Sequence, residues 1–556
     1  MKIFSGRFGR AVLAFILLDR VDILSIGNLL DERVAEHGDK PFLFSEVDGR
    51  SWSYAEFDAV VNRTANMLLG RGSAKGDVVS LLLPNSAEYI IAYFACWKIG
   101  ALAGPVNSLL KSEEIEWIVN NSESKLLLTA SIGGKPSGRE GVGQVPTIEF
   151  NDVEAATAGQ SSELAETDIS ENDEAIIIYT SGTTGKPKGC LLTHGNLIAN
   201  ARQITEWLGF GPEDRLLSVM PLFHMNAVTV TTMTALYAGG STVVSPKFSA
   251  SRFWDIIEKY GVTSFGSVAT MLSMLLKVSS EQQAVSSDHN ELLAAHRSRL
   301  TSLRFAMCGS APVPAEVLNR FEETFGVLVI EGYGLSESTC RSTFNPPNEN
   351  RRPGSCGLPI GNEMRVVDEE DNEVPDGTLG EIVLRGPNIF KGYFKNPEAT
   401  EKAFAGGWFH TGDIGYRDAD GYFYIADRKT DMIIRGGENI YPREIDDLLY
   451  THPAVAHAAV IGVPDKLYGE EVAAFIVLKD GFENSPPYEG GVAAAPGGRG
   501  GSLITQEDII GFCKLHLADF KCPKTVHFVD DIPKGPTGKL LKRELARTYD
   551  RHKVSG

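Results

Sequence analysis

The sequence predicts an α/β protein of two or more domains, built on mostly parallel sheets with helices on both faces. Three observations carry that expectation. A chain of 556 residues is too long for one compact core. From Ser25 onward, helix-like stretches alternate with strand-like ones, a pattern that implies parallel strands joined by crossover helices. The strand candidates are also continuous apolar runs, as strands covered on both faces must be.

Taken in order, SYAEFDAVVNRTANMLLGRG (Ser53–Gly72) sets apolar or small residues at helical spacing, and DVVSLLL (Asp77–Leu83) follows as a buried strand. EAIIIYT (Glu174–Thr180) is a second such run. It leads into YTSGTTGKPKG (Tyr179–Gly189), and THGN (Thr193–Asn196) then reads as a helix start with Thr193 as N-cap. Two stretches read as insertions or flexible loops. SSEQQAVSSDHNE (Ser279–Glu291) is polar and weakly periodic, while ENSPPYEGGVAAAPGGRGGS (Glu483–Ser502) is too rich in Gly, Pro and Ala to bury a core, so disorder is expected there. No internal repeat is present.

The formal charge of −19 argues against a nucleic-acid binder, whose footprint would be basic. An anionic substrate would then need a local cluster of positive groups working against the global field. Seven scattered cysteines, with no CxxC pair, suggest reduced thiols that act as small buried hydrophobes in a cytoplasmic enzyme. At the N-terminus, Lys2, Arg7 and Arg10 precede AVLAFILL (Ala11–Leu18), which resembles the apolar region of a signal peptide. The run is short, Asp19 and Arg20 follow at once, and no small-x-small cleavage site appears. It also falls below the roughly 20 apolar residues that span a bilayer. An amphipathic or poorly ordered extension over residues 1–24 is the expectation, with no integral membrane segment.

The chemistry concentrates in a few motifs. YTSGTTGKPKG has the glycines, hydroxyls and lysines of a phosphate-binding loop. It is not a Walker loop, because the second glycine counted from Gly182 would fall at Pro187. Ser181, Thr183 and Thr184 offer hydroxyl donors, Lys186 and Lys188 supply charge, and the glycines let backbone approach an anion closely. Further along come PLFHMNA (Pro221–Ala227), MCGSAP (Met307–Pro312), EGYGLSEST (Glu331–Thr339) and GWFHTGD (Gly407–Asp413). DRKTDMIIRGGENIYPREID (Asp427–Asp446) and IPKGPTGKLLKREL (Ile532–Leu545) complete the set.

In this order, the motifs resemble the ANL superfamily of adenylate-forming enzymes, which holds acyl-CoA synthetases, adenylation domains of non-ribosomal synthetases and luciferases. The resemblance runs from about Ser25 to Arg547. It implies a large N-terminal domain of mixed, mostly parallel sheets flanked by helices over residues 25–429. A small mobile α+β domain would follow over 430–547, with a hinge at Thr430 and a tail at 548–556. Relatives usually carry Asp or Lys at the hinge position.

The resemblance also implies roles. Thr180, Ser181, Gly182, Thr183, Thr184 and Lys188 would enclose the β- and γ-phosphates of ATP. His224 would sit beside the acyl group. Gly309, Ser310 and Ala311 would line one face of adenine and Tyr333 the other, with Gly332 and Gly334 flanking that tyrosine. Glu331 would read the exocyclic amine, and Ser336, where many relatives have Thr, would contact phosphate. Glu337 and Thr184 would hold Mg²⁺, a hard cation suited to oxygen ligands. Asp413 would clamp the ribose hydroxyls, with Arg428 as a second nucleotide contact. Gly436 and Gly437 fall where CoA-using relatives pass the pantetheine arm. Lys539 would bridge the carboxylate and the α-phosphate, stabilising charge as the carboxylate attacks phosphorus.

The activity so implied is a two-step ligation. A carboxylic acid and MgATP give acyl-AMP and pyrophosphate; the small domain then rotates and CoA takes the acyl group. Alternatives are an amide ligase using an amine, or an adenylation enzyme loading a carrier protein. A luciferase-like oxidase is disfavoured because nothing in the chain speaks to a luciferin, and a hydrolase because no G-x-S-x-G pattern accompanies a triad. Acetyl-CoA synthetases carry a bulky Trp after the motif tyrosine. Here Gly334 and Gly332 flank Tyr333 instead, so an acid larger than acetate, medium-chain fatty or aromatic, is expected. Partners are the acid, ATP and CoA, with a homodimer as the assembly to test.

Overall fold

The computed structural model describes residues 24–132, 135–136, 145–180, 187–285, 299–309, 315–436, 438–484, 502–535 and 540–554. Ser53 starts the helix Tyr54–Gly70 as a reciprocal cap: its side chain accepts from the Glu56 amide while the Glu56 carboxylate accepts from the Ser53 amide. That helix packs against Ala87–Lys98, which Tyr89, Ile91, Tyr93, Phe94 and Trp97 bury almost all round. Between them runs Val78–Leu82, buried at every position.

Two seven-stranded sheets dominate the N-terminal part of the described residues. One runs Leu328–Glu331, Phe305–Cys308, Ser264–Ser267, Arg215–Ser218, Ser241–Val244, Pro41–Ser45, Ser51–Ser53, parallel up to its last pair. The other runs Gly392–Tyr393, Lys188–Thr193, Glu174–Thr180, Leu102–Pro105, Val78–Leu82, Leu126–Thr129, Thr147–Glu149. It is antiparallel at its first two pairings and parallel beyond. Apolar side chains from both sheets merge into one core that ends at Phe423. An antiparallel sheet of Glu363–Val367, Gly380–Arg385, Phe409–Arg417 and Phe423–Arg428 follows.

A second core begins at Ile433 and draws on Ile440, Ile445, Leu449, Val460, Ile476, Ile509 and Val526. It lies on the sheet Glu438–Ile440, Ile433–Arg435, Gly469–Leu478, Val455–Asp465, with Thr525–Phe528 parallel to Gly469–Leu478. The fold class is thus as expected: mixed, mostly parallel sheets with flanking helices and a separate α+β C-terminal unit.

Two expectations need correction. The polar stretch from Ser279 is no loop at its start, because the helix Ala269–Val285 continues through it. Ser279 is buried, and the Ser280 hydroxyl donates to Leu276 O, so the serines are absorbed into the helix. The remainder, 286–291, lies outside the described residues. At the Gly/Pro-rich insertion, Glu483 and Ser502 are strand residues, in Phe482–Asn484 and Ser502–Ile504, which pair in parallel; residues 485–501 lie outside the described residues. All seven cysteines are free and six are buried. Among the described residues, no helix is long and apolar enough to cross a membrane.

Candidate active site

Three parallel strands end together. Ser267 is opposite Cys308, and Cys308 opposite Glu331, so the next residues, Gly309 and Gly332, share one rim. Crevices at the carboxyl ends of such strands are where open α/β sheets bind ligands. The rim is tightly filled. A Cβ at Gly309 would lie 2.6 Å from Arg341 Nη2 and 2.7 Å from Gly332 O. One at Gly332 would lie 2.5 Å from the Phe344 ring, and one at Gly334 only 2.1 Å from Cys340 O. Gly332 and Gly334 are therefore small because neighbouring chain presses on them. Their missing side chains therefore answer to packing rather than to the size of the acid.

Tyr333, next to this rim, donates its hydroxyl to Asp413 Oδ2 at 2.6 Å. Burial and the Asp413 carboxylate hold that phenol well above its usual pKa, so it stays a donor. Asp413 lies in the strand Phe409–Arg417, directly across the ladder from Arg428 in Phe423–Arg428. Antiparallel register thus brings Arg428 Nε within 3.3 Å of Asp413 Oδ1. Burial works against the Arg428 charge, and Asp413 with its neighbours outweighs that and raises its pKa. A buried carboxylate flanked by an aromatic ring and a guanidinium suits a ribose and its base.

Glu337 sits in the short turn Ser336–Ser338. Its carboxylate accepts from the Tyr393 hydroxyl at 3.0 Å, and burial lifts its pKa. The Tyr393 ring also carries Lys188, whose Nζ is 5.1 Å from the ring centroid. Lys188 faces Thr180 across the hairpin of Glu174–Thr180 and Lys188–Thr193. One tyrosine therefore ties the base of the phosphate loop to Glu337. Ser336 lies at the same turn, half-buried. Thr193 caps the helix His194–Leu208 in a reciprocal box with Asn196, as expected. Among the described residues, no three His, Cys, Asp or Glu side chains group as a metal site. A single carboxylate suits a magnesium ion that arrives already coordinated by phosphate oxygens.

Glu331 ends its strand buried, accepting from Gly354 N at 3.0 Å, and burial pushes its pKa up to about 7. The His224 ring lies tilted against Phe223, with ring centroids 4.7 Å apart. Burial lowers its pKa to about 4, so the imidazole is neutral, and its buried Nε2 has no partner. Gly436 has φ of +60° in the turn that joins Arg435 to Glu438, its ladder partner. Hairpin geometry alone accounts for glycine there. Thr430 is exposed between the strands Phe423–Arg428 and Ile433–Arg435, its hydroxyl bonded to Asp431. Across that boundary, Asp427 Oδ2 accepts from Arg443 N at 2.9 Å.

The described structure thus brings Tyr333, Asp413 and Arg428 together, and joins Glu337 to Lys188 through Tyr393. Ser181, Gly182, Thr183, Thr184, Lys186, Ser310, Ala311, Gly437 and Lys539 lie outside the described residues. Lys534 and Leu540 pair across the segment that carries Lys539. Three side chains were missed from sequence. Tyr393 is 56 residues from its partner Glu337, and no spacing could link them. Lys542 pairs with the buried Asp446 at 2.7 Å; the alternation of Lys and apolar residues after Gly538 was its only signal. Arg341 is enclosed by the fold, and a cation among small residues just after EGYGLSEST was the clue to it.

Residues 30–394 match the family described as AMP-binding enzyme, and residues 444–539 match the AMP-binding enzyme C-terminal domain. The chain is 34% identical over 534 residues to a sulfoacetate–CoA ligase of Cupriavidus necator, covering 94% of this chain and 97% of that one. It is 33% identical over 507 residues to a feruloyl-CoA synthase of an Amycolatopsis species, covering 90% and 94%. The crystal structure of ATP-bound MatB from Rhodopseudomonas palustris superposes with a TM-score of 0.82 at 31% identity, over 94% of this chain and 99% of that one. The two curated relatives are by name CoA-joining enzymes, the solved one binds ATP, and the activity they support for this chain is ATP-dependent formation of an acyl-AMP followed by thioester formation with CoA. With residues 30–394 and 444–539 matched, and relatives of 33–34% identity that are CoA ligases over nearly their whole length, the chain belongs to the AMP-binding enzyme family, as an AMP-forming acid–CoA ligase.

Proposed function

We propose the following division of labour among its residues. Asp413 accepts from the ribose hydroxyls, Tyr333 stacks on the base, Glu331 reads its amine, and Arg428 completes the nucleotide contacts. The hairpin over Thr180–Lys188 encloses the outer phosphates. Glu337, with Thr184, meets the magnesium ion that neutralises phosphate charge. His224, neutral, borders the carboxylate as a hydrogen-bonding wall. Lys539 places positive charge where the acid oxygen approaches the α-phosphorus, so the new P–O bond forms as pyrophosphate departs. No covalent intermediate on the protein is needed, since AMP is already a good leaving group.

The observation that supports this most is the shared carboxylate of Asp413, held between Tyr333 and Arg428. For the second step, the small domain over residues 430–547 turns at Thr430, withdraws Lys539 and presents Gly436 and Gly437 beside the thiol. The two separate cores support a boundary there. A cytoplasmic location, suited to buried free thiols, and a homodimer complete the reading. Sulfoacetate and ferulate, named for relatives at 34% and 33% identity, differ so widely that resemblance alone leaves the acid open. The test is AMP release from MgATP over a panel of acids, each with and without CoA. AMP that accumulates only when both acid and CoA are present supports the reading; pyrophosphate release through many turnovers at a rate indifferent to CoA would overturn its second step.

A further inference from the structure

Among the described residues, Arg341 is second in volume only to Trp97 of the fully buried side chains, and it is 1% exposed. The fold fixes its backbone firmly. Its amide donates to Asn200 Oδ1 at 3.2 Å, and its carbonyl accepts from Asn200 Nδ2 at 2.6 Å and Asn388 Nδ2 at 3.2 Å. The two residues before it, Thr339 and Cys340, have φ of 63° and 141°, a conformation that only a well-determined neighbourhood sustains.

Its guanidinium is left largely unanswered. Nη1 donates to Cys340 O at 3.2 Å, and the Phe344 ring lies 5.4 Å from Cζ. Nε and Nη2 have no hydrogen-bond partner, and no carboxylate pairs with Arg341 among the described residues. These two atoms form one edge of the planar fork, the edge that grips an oxyanion through two parallel bonds. A guanidinium does not shed its proton, so the interior holds a full positive charge at unfavourable cost until an anion answers it.

Its location identifies the anion. Arg341 Nη2 sits at Gly309, on the strand-end rim. One strand over, Gly266 pairs with Met307 in register, and a Cβ there would lie 2.6 Å from Asn226 Oδ1. Asn226 is 3% exposed, and neither polar atom of its amide has a partner; His224 Nε2 is likewise unpartnered. Arg341 and Asn226 thus bring unmet polar atoms to the ends of two neighbouring strands, and His224, two residues before Asn226, adds a third. Lys188, Tyr393 and Glu337 answer one another and leave Arg341 unpaired.

We propose that Arg341 is the counter-ion for a second anionic group on the acid, so that the substrate is a compact dianion: a short dicarboxylate or a sulfonated carboxylic acid. One anionic end is activated, and the other is held by the free edge of Arg341, with Asn226 as a neighbouring hydrogen-bonding group. This deepens the ligase reading and rests on it.

The test measures acid-dependent AMP formation with MgATP and CoA for matched pairs: malonate against butyrate, succinate against valerate, and sulfoacetate against butyrate. The wild type is expected to favour the best dianion over its partner by about 100-fold in kcat/KM, since a buried polar group left unpaired discriminates strongly. Arg341→Leu should collapse that ratio to about one or below, while Arg341→Lys, which keeps charge but loses the fork, should retain part of it. Stabilisation of each variant by ATP in a thermal shift shows that it is folded. A wild type that prefers the monoanions overturns the assignment and leaves the ligase reading standing. So does an Arg341→Leu enzyme that loses both members of a pair equally, which would place Arg341 on the reacting carboxylate. AMP from none of these acids overturns the assignment, while the ligase reading falls only if the wider panel of acids gives no AMP either.

Discussion

The Tyr333 hydroxyl donates to Asp413 Oδ2 at 2.6 Å while Arg428 Nε stands 3.3 Å from Oδ1 of the same carboxylate. Protein donors thus face both oxygens that a ribose would use, so nucleotide binding exchanges one set of hydrogen bonds for another. Such an exchange is nearly neutral for the hydroxyl and unfavourable wherever the carboxylate is lost.

The first prediction separates ring from hydroxyl at Tyr333. Tyr333→Phe keeps the stacking face and releases one competitor for Asp413, so KM for ATP should change by no more than about threefold. Tyr333→Ala should raise it about 10- to 100-fold, the usual worth of a base stacked on an aromatic ring. Asp413→Asn should weaken ATP by a similar factor. Equal losses in the Phe and Ala variants would mean that the hydroxyl, not the ring, is what the nucleotide uses.

Glu331 yields a pH prediction with a definite sign. Burial lifts its carboxyl from the ordinary 4.5 to about 7, against the opposing pull of Gly354 N and Arg351. Between those values the folded protein binds more protons than the unfolded chain. The stability this contributes is fully present below about pH 4.5 and is lost as pH rises through about 7. Glu331→Gln, which mimics the neutral form, should match wild-type Tm near pH 4.5 and exceed it by a few degrees at pH 8. A Tm difference that is constant across that range would rule out Glu331 as the source.

Asp446 and Lys542 carry a prediction about positioning. Lys542 opens the helix Lys542–Val554, three residues beyond Lys539, and its ammonium lies 2.7 Å from Asp446 Oδ2. Burial opposes that charge, and the Asp446 and Asp427 carboxylates more than offset it, raising its pKa. The other Asp446 oxygen accepts from Val460 N, inside the C-terminal core. Lys542→Met should destabilise that unit by about 3 kcal/mol, the cost of stranding a buried charge. It should also slow adenylation about tenfold while hardly touching thioester formation from supplied acyl-AMP. Pairing it with Asp446→Asn should restore Tm without restoring adenylation. Recovery of both would reduce the ion pair to a purely structural role.

Linear motifs explain how much of this was legible beforehand. Tyr333, Glu337, Asp413 and Arg428 stand in contiguous motifs whose resemblance to adenylate-forming enzymes implied their roles, and register between neighbouring strands joins Asp413 to Arg428. What escaped depends on folding distant chain together. Tyr393 reaches Glu337 only because Gly392–Tyr393 pairs at the edge of Lys188–Thr193. Phe344 and Cys340 press on the Cβ positions of Gly332 and Gly334, and packing of that kind leaves no periodic trace. Ser279 was misjudged because polarity was weighed above the apolar face that buries it.

The last prediction concerns Lys539. Its flanks are fixed: Lys534 pairs with Leu540, and Leu541 N donates to Pro533 O at 2.8 Å. Its charge is needed only while the carboxylate oxygen and α-phosphorus converge, two centres whose combined negative charge would otherwise resist approach. Once acyl-AMP exists, the thiol attacks a carbonyl, and a lysine aimed at phosphorus adds nothing. Lys539→Ala should therefore depress acid-dependent pyrophosphate exchange by about 100-fold or more, as loss of an electrostatic stabiliser does. The same variant, given chemically prepared acyl-AMP and CoA, should form thioester within about threefold of wild type. Equal loss in both half-reactions would show that Lys539 stays at the site throughout, and rotation of the small domain at Thr430 would then have no part in the cycle.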